Sequence, residues 1–332
     1  MKLFRTVVEI PESRTKLDYE TGSMWIGSCF TENIGSRLKE LKFPHEVNPF
    51  GILYNPASIN NSLKILTDGR MFTEKDLRYG NGLWYSFSHH SSYSHPERDA
   101  CLERINESIT RAAGMLKKAK LLFITFGTAR VFQLKENGEI VSNCHKIPAS
   151  HFDRVLLDVE EIVESYSSLI NRLKEFNPDL RIVFTISPVR HWKDGAHGNQ
   201  ISKSILLLAV SRLEELFDNV SYFPAYEIIM DELRDYRFYD EDMLHINKQG
   251  VDYIWEKFQE AYLSPSSKPV IKEITAIRLG TQHRPFNPTS RQHQMFMLKI
   301  LERIAAVEKL IPDADFSNEK NTIEKILEEK HG

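Results

Sequence analysis

Two short stretches hold side chains whose types and spacing could do chemistry. In IGSCFTENIG (26–35) a cysteine follows a glycine and a serine, and in YDEDMLHIN (239–247) an aspartate stands three residues before a histidine. Ahead of Cys29, Met24–Gly27 reads as the end of a buried strand. Behind it Phe30, Ile34, Leu38 and Leu41 recur three or four apart, the spacing of an amphipathic helix. Cys29 therefore stands where a strand turns into a helix. At such a turn a side chain points into the crevice at the carboxyl edge of a parallel sheet. Its own N–H is left unpaired by the helix and can face an oxyanion, and the positive helix end favours a thiolate and a lowered thiol pKa. A cysteine so placed is a candidate nucleophile; the alternative is a small buried filler. Asp242 can reach His245 across three residues of a loop, fix its tautomer and stabilise its imidazolium, unless both are surface residues without a task.

Other side chains could also take part. His89, His90 and His95 in SHHSSYSH fit no zinc spacing and have no adjacent Cys or acidic partner, so neither metal nor cofactor is expected. His90 and Ser91 are expected either to touch substrate or to lie in a solvated loop. Cys144 and His145 are sequence neighbours whose side chains diverge, which leaves His145 as a pocket-lining candidate. In SPVRHWKDG, Arg190 and His191 follow a strand end, where they could bind an anionic or sugar group; a solvated capping loop is the other reading. No glycine-rich phosphate loop is present.

The elements that must position these residues alternate. Strands are expected at Phe4–Ile10, Met24–Gly27, Leu121–Phe126, Arg181–Ser187 and Val220–Phe223. Helices are expected from Thr31 and over Asp99–Lys118, Asp158–Phe176, Asn199–Phe217 and Asn247–Tyr262, the last capped by Asn247. Asn48–Pro56, NPFGILYNP, reads as a loop, and Asn137-Gly138 as the turn of a hairpin. This alternation indicates an α/β sandwich with a mainly parallel sheet. Beyond the Ser- and Pro-rich break at 264–269 the chain is polar and then helical over Arg291–Lys309 and Asn318–Lys330. Residues 1–265 are thus expected to form the catalytic domain and 266–332 a helical extension.

The totals narrow the function. A chain of 332 residues with 41% hydrophobic and 27% charged residues can bury a large core. A net charge of −3 without a basic block argues against nucleic acid as a partner. The longest apolar runs, Ile205–Val210 and Leu121–Phe126, are too short to span a bilayer, and MKLFRTVVEIPESR lacks an apolar leader core. Three cysteines make no disulfide framework, so a cytoplasmic setting is expected. Oligomeric state stays open.

Together GSCFTENIG and DMLH resemble the first and last blocks of the SGNH (GDSL-type) hydrolases, and more closely the GSCFA-domain proteins related to them; NPFGILYNP, SPVRH and NCHK share that look, over about residues 20–265. The resemblance implies a three-layer α/β/α sandwich of flavodoxin-like type acting on an acyl ester, a carbohydrate O-acyl group among the substrates. It implies Cys29 as nucleophile, His245 as general base and then acid, and Asp242 as its orienter. Ser28, which falls where the superfamily keeps an aspartate, is the runner-up nucleophile. Oxyanion donors would be the amides of Cys29 and Gly51. The third block aligns with Gly127-Thr128-Ala129 and lacks the usual asparagine. Thr128, Asn143 or another side chain must replace it, or the oxyanion hole is one donor short, a loss of about 3 kcal/mol. A thioester also hands acyl groups to alcohols, amines and thiols, so the same residues suit an acyltransferase; a silent glycan- or metabolite-binding relative is the rival from another class.

Overall fold

The structure is a computed structural model and describes residues 5–283, 285–287 and 290–328. The strands of the main sheet are β1 (Ser23–Gly27), β2 (His45–Val47), β3 (Leu121–Phe126), β4 (Arg181–Ile186) and β5 (Val220–Tyr222). Every neighbouring pair runs parallel, in the order β5-β4-β3-β1-β2. That is the doubly wound order in which the chain reverses direction between β1 and β3, and the crevice outside the carboxyl ends of those strands is where such sheets bind ligands.

Alternation along the strands sorts the two faces. Met24, Ile26, Leu122, Ile124, Phe126, Ile182, Phe184 and Ile186 point one way, into a core shared with the helices α2 (Pro56–Asp68), α3 (Arg98–Lys118), α4 (Val159–Phe176) and α5 (Gly195–Leu216). On the opposite face Trp25 stacks on Phe123 at 3.8 Å, and both rings meet Phe258 of α6 (Lys248–Tyr262) edge-on, at 5.4 and 5.5 Å. Helices on both faces of a parallel sheet make the expected three-layer sandwich.

The remaining helix of this part, α1 (Cys29–Glu40), starts one residue after the turn at Ser28. Its first turn is tied to the sheet by Thr31, whose hydroxyl bonds that of Thr125 on β3 at 2.7 Å. Gly27 makes the tight exit from β1 possible. Its φ is +149°, and a Cβ there would lie 2.3 Å from the carbonyl oxygen of Thr125, so no side chain fits.

Several elements differ from the sequence expectation. No strand forms over residues 5–10, and Phe4 lies outside the described residues. Helix α5 begins at Gly195, four residues earlier than expected, directly after the turn Trp192–Asp194. The stretch around Trp84 contains a hairpin, Arg78–Gly80 against Leu83–Tyr85, turned by Asn81 (φ 52°) and Gly82 (φ 78°). The Asn137-Gly138 hairpin forms as expected and gains a third strand, Phe152–Leu156.

Two compact units are present. The first comprises Met1–Thr15, Gly22–Gly35 and His45–Tyr262; the second Lys16–Thr21, Ser36–Pro44 and Leu263–Gly332. Within the second, α7 (Lys268–Gln282), α8 (Arg291–Leu310) and α9 (Ser317–Glu328) bury Ile274, Ile277, Met297, Ile300, Ile304, Val307 and Ile323. Residues 268–282 read as polar in the sequence yet are helical, and Lys330 of the expected last helix lies outside the described residues. Among the described residues no helix is long and apolar enough to cross a membrane.

Phe258 is 1% exposed and contacts Trp25, Phe123, Phe223 and Tyr262. Phe258→Ala is expected to lower unfolding free energy by about 3–5 kcal/mol, read as a shifted midpoint in urea; a loss below about 1 kcal/mol would refute this packing account.

Candidate active site

The loop after β2 joins the ends of β1 and β3. Asn48 accepts the Gly27 N–H on its side-chain oxygen at 2.9 Å, and Leu53 N–H returns to Gly27 O at 3.0 Å. Tyr54 O then accepts the amides of Gly127 and Thr128, at 2.7 and 3.0 Å. The two asparagines of NPFGILYNP have distinct work: Asn48 clasps β1, and Asn55 caps α2 by accepting from Ser58 N. Helix α5 grips the other side. Ser202 Oγ accepts the Ala129 amide and bonds the Thr128 hydroxyl at 3.0 Å, and Asn199 accepts the His191 amide at 2.9 Å. Lys203, wholly buried, donates from Nζ to Gly127 O at 2.7 Å and to Ser187 O at 2.6 Å.

Cys29 is partly exposed at this edge, whereas Ser28 beside it is 1% exposed with a hydroxyl that finds no partner among the described residues. Burial raises the Cys29 thiol above its ordinary pKa, and the Glu32 carboxylate adds to the rise. The amides of Phe30 and of Cys29 itself, with the Lys203 charge, pull the other way and do not win. The lowered pKa expected of a helix N-terminus is thus corrected: desolvation outweighs the first-turn amides. Tyr54 feels the same sulfur electrostatically, after burial, and its hydroxyl is raised. Burial takes Lys203 down to about 7, opposed by Cys29.

The second stretch builds a couple of its own. His245 Nδ1 meets Asp242 Oδ2 at 2.5 Å, while Asp242 Oδ1 accepts the amides of Leu244 and His245, each at 2.9 Å. These bonds, the imidazole's first, bring the Asp242 carboxyl down to about 2. Met243 between them takes a left-handed φ of 58° that lets the chain curl back. Both side chains of the couple are about half exposed, 53% and 48%. Among the described residues no hydrogen bond joins His245 to Cys29. His191 lies within the field of His245: burial first, then the Lys203 charge and, less strongly, that of His245 bring its imidazole down to about 4, against the opposite pull of Asp194. Its ring lies edge-on to Tyr54 at 5.5 Å, and its Nε2 would be 3.1 Å from a Cβ on Gly127. Asp194, 1% exposed at its side chain, is held by Arg130 and Arg154 at 3.1 and 2.5 Å.

The other candidates divide. Gly51 has φ +76° and its N–H is spent on Asn48 O at 2.7 Å, so its amide is not the free oxyanion donor expected. His90 packs its Cβ against Gly51 and bonds Ser92 Oγ at 3.1 Å. The Gly127 amide and the Thr128 amide and hydroxyl are committed, as above. Asn143 and His145 lie in another cluster, where Asn143 accepts the His145 amide and the imidazole stacks on Tyr85 at 4.3 Å and meets Ser86 O at 2.9 Å. Arg190 borders a groove of about 570 Å³ together with Trp192, Tyr236, Tyr239 and Asp242. Among the described residues no group of three or more His, Cys, Asp or Glu could hold a metal ion. Sequence reasoning missed Lys203, Asn199 and Ser202. The signal was there: Lys203 falls in step with Leu206, Val210 and Leu213, on the apolar stripe of α5.

The family model described as "GSCFA family" matches residues 23–258, and that of the "GSCFA domain protein, C-terminal domain" matches 274–329. No curated protein matches the chain by sequence. Solved structures similar to it include a carbohydrate esterase family 3 from Talaromyces cellulolyticus (11% identity, TM-score 0.33, 76% of this chain and 99% of that one). Others are an acetyl xylan esterase from the rumen bacterium Butyrivibrio proteoclasticus (10%, 0.36, 73% and 62%) and a Clostridium thermocellum family 3 carbohydrate esterase (11%, 0.33, 77% and 98%). Likenesses this weak say nothing of the reaction.

Burial also takes the unpartnered His89, enclosed by Phe50, Phe72 and Tyr93, down to about 3. Its folded pKa, like that of His191, is lowered, so both rings stay neutral while the unfolded chain takes up protons near pH 6.5. Stability is therefore expected to decline as pH falls from about 6.5 towards 4, by up to ~1.4 kcal/mol per pH unit for each ring. Urea midpoints between pH 7 and 4.5 should drop in the wild type and drop less in His89→Leu; equal slopes would refute the assignment.

Proposed function

The chain belongs to the GSCFA family, and from that premise we propose that it is an acyl-ester hydrolase working through a covalent thioester on Cys29. The observation that carries this reading is the seat of the sulfur: partly exposed, resting on the first amides of α1 and within the field of Lys203. Ser28 is the poorer nucleophile because its hydroxyl is buried under the turn.

His245 takes the thiol proton as Sγ attacks the ester carbonyl. Asp242, bonded to Nδ1, keeps Nε2 as the acceptor and stabilises the imidazolium. The amides of Cys29 and Phe30 receive the charge on the carbonyl oxygen. Collapse breaks the C–O bond, and His245 returns its proton to the leaving alcohol. Water, deprotonated by the same imidazole, then attacks the thioester carbonyl; the C–S bond breaks, the carboxylic acid leaves, and His245 returns the proton to Sγ. His245 must approach the sulfur for this to occur, and its half-exposed position leaves the loop room to move.

The groove beside Asp242 favours a carbohydrate ester. Trp192 and Tyr236, 53% and 75% exposed, offer aromatic faces to sugar rings, and Arg190 offers hydrogen-bond donors. An acyltransferase would use the same residues with a sugar hydroxyl in place of water. A silent binding relative is favoured by one observation, that the amides of Gly51, Gly127 and Thr128 are all spent.

With short-chain aryl esters and acetylated saccharides, mass spectrometry is expected to find an acyl adduct on Cys29. Cys29→Ala should lower turnover at least ~10³-fold and His245→Ala ~10²–10⁴-fold. Hydrolysis unchanged in Cys29→Ala, with no adduct, would end the covalent mechanism. An adduct released faster by added sugar than by water would make the protein a transferase.

A further inference from the structure

Resting on the reading that the groove beside Asp242 receives the ester, we propose that Arg190 is the anion receptor of that groove and that the substrate is an acylated carbohydrate carrying a carboxylate or phosphoryl group. Arg190 stands just past the end of β4, in a loop pinned on both sides. The Val189 amide donates to Ser187 Oγ at 3.3 Å, and the His191 amide to Asn199 at 2.9 Å. Arg190 Nη2 reaches the sulfur of Met230 at 3.3 Å, and Met230 is itself a wall of the groove, so the guanidinium end lies at the cavity. Asp242 lines the same cavity. A ligand held by Arg190 thus shares its space with the carboxylate that orients His245.

The charged residues lining the groove are Arg190, Arg234, Asp235 and Asp242. Three of them are matched. Arg234 pairs with Asp231 at 3.2 Å, Asp235 with Arg237 at 3.6 Å, and Asp242 with the His245 imidazole and two amides. Arg190 is not: among the described residues no carboxylate forms an ion pair with it, and its hydrogen bond to Met230 goes to a thioether, a weak acceptor. A guanidinium carries five N–H donors and keeps its charge throughout the pH range of proteins. Its planar fork fits two oxygens of one carboxylate or phosphoryl group. A neutral sugar would leave this cation without a counterion inside the groove; an anionic sugar supplies one. The walls suit the remainder of the sugar. Trp192 and Tyr236 offer ring faces, and the Tyr239 hydroxyl, which makes no hydrogen bond among the described residues, is free to donate.

The test is calorimetric titration of the full-length chain with two trisaccharides, one ending in glucuronate and the other in glucose. Neither carries an ester, so the readout does not depend on turnover. The glucuronate sugar is expected to bind at least ~10-fold more tightly. That preference should vanish in Arg190→Gln and survive in part in Arg190→Lys, which keeps the charge and loses the fork. A second measurement needs no variant: the preference in wild type should shrink as sodium chloride is raised to about 1 M, where charges are screened within about 3 Å. Equal affinity for the two sugars, no binding of the glucuronate sugar, or a preference that persists in Arg190→Gln or at high salt overturns the proposal. A glucose phosphate that binds more tightly than glucose, with the same dependence on Arg190, supports it and assigns the anion to a phosphoryl group. Anion preference without an acyl adduct on Cys29 removes the hydrolase and leaves the receptor; an adduct formed equally from neutral and anionic esters does the reverse.

Discussion

Lys203 draws the carbonyls of Gly127 and Ser187 towards one nitrogen, and the geometry of the sheet's carboxyl edge follows from that shared contact. Strand ends in a parallel sheet are where backbone pairing stops, so the carbonyls there must find other donors. One buried side chain supplies two of them at once. Its neighbours on α5 complete the hold: Ser202 on the amide of Ala129 and Asn199 on that of His191. The loop after β2 does the same work from the opposite side, through Asn48 on Gly27 and Tyr54 O on Gly127 and Thr128. Cys29 emerges between two clamps that share the end of β3.

This bracing has an electrostatic cost. Amides that fasten loops are no longer available to a substrate, and those of Gly51, Gly127 and Thr128 are all engaged. What remains for the sulfur is the start of α1, whose first amides pull its pKa down against burial. Burial raises the thiol and lowers the amine, while each charge favours the other, so the two effects partly offset within a single pair. A site of this kind is set by enclosure as much as by its residues.

Much of this was legible in the amino-acid order. The strands β1, β3 and β4 are mostly apolar and almost wholly buried, and the helices carry the three-and-four spacing, so the sandwich could be read directly. Cys29 at a strand–helix turn and the Asp242–His245 couple came from the same reading. Other elements escaped for identifiable reasons. Three-residue β2 is His-Glu-Val, too short and too polar to show a strand signature. Helix α2 hid behind a loop motif, although Asn55 and Pro56 are a capping residue and a favoured first helical residue. The commitment of the Gly51 amide depends on a positive φ that no spacing announces. Lys203 was visible as a charge on an apolar stripe, but its two acceptors come from segments 76 and 16 residues away.

The Asp242–His245 couple differs from the rest of the edge in owing nothing to distant parts of the chain. Asp242 draws its hydrogen bonds from the next three residues only, with Met243 turned left-handed to close the ring. Such a module is self-contained: the orientation of the imidazole is set within four residues and does not depend on how the strand ends are braced.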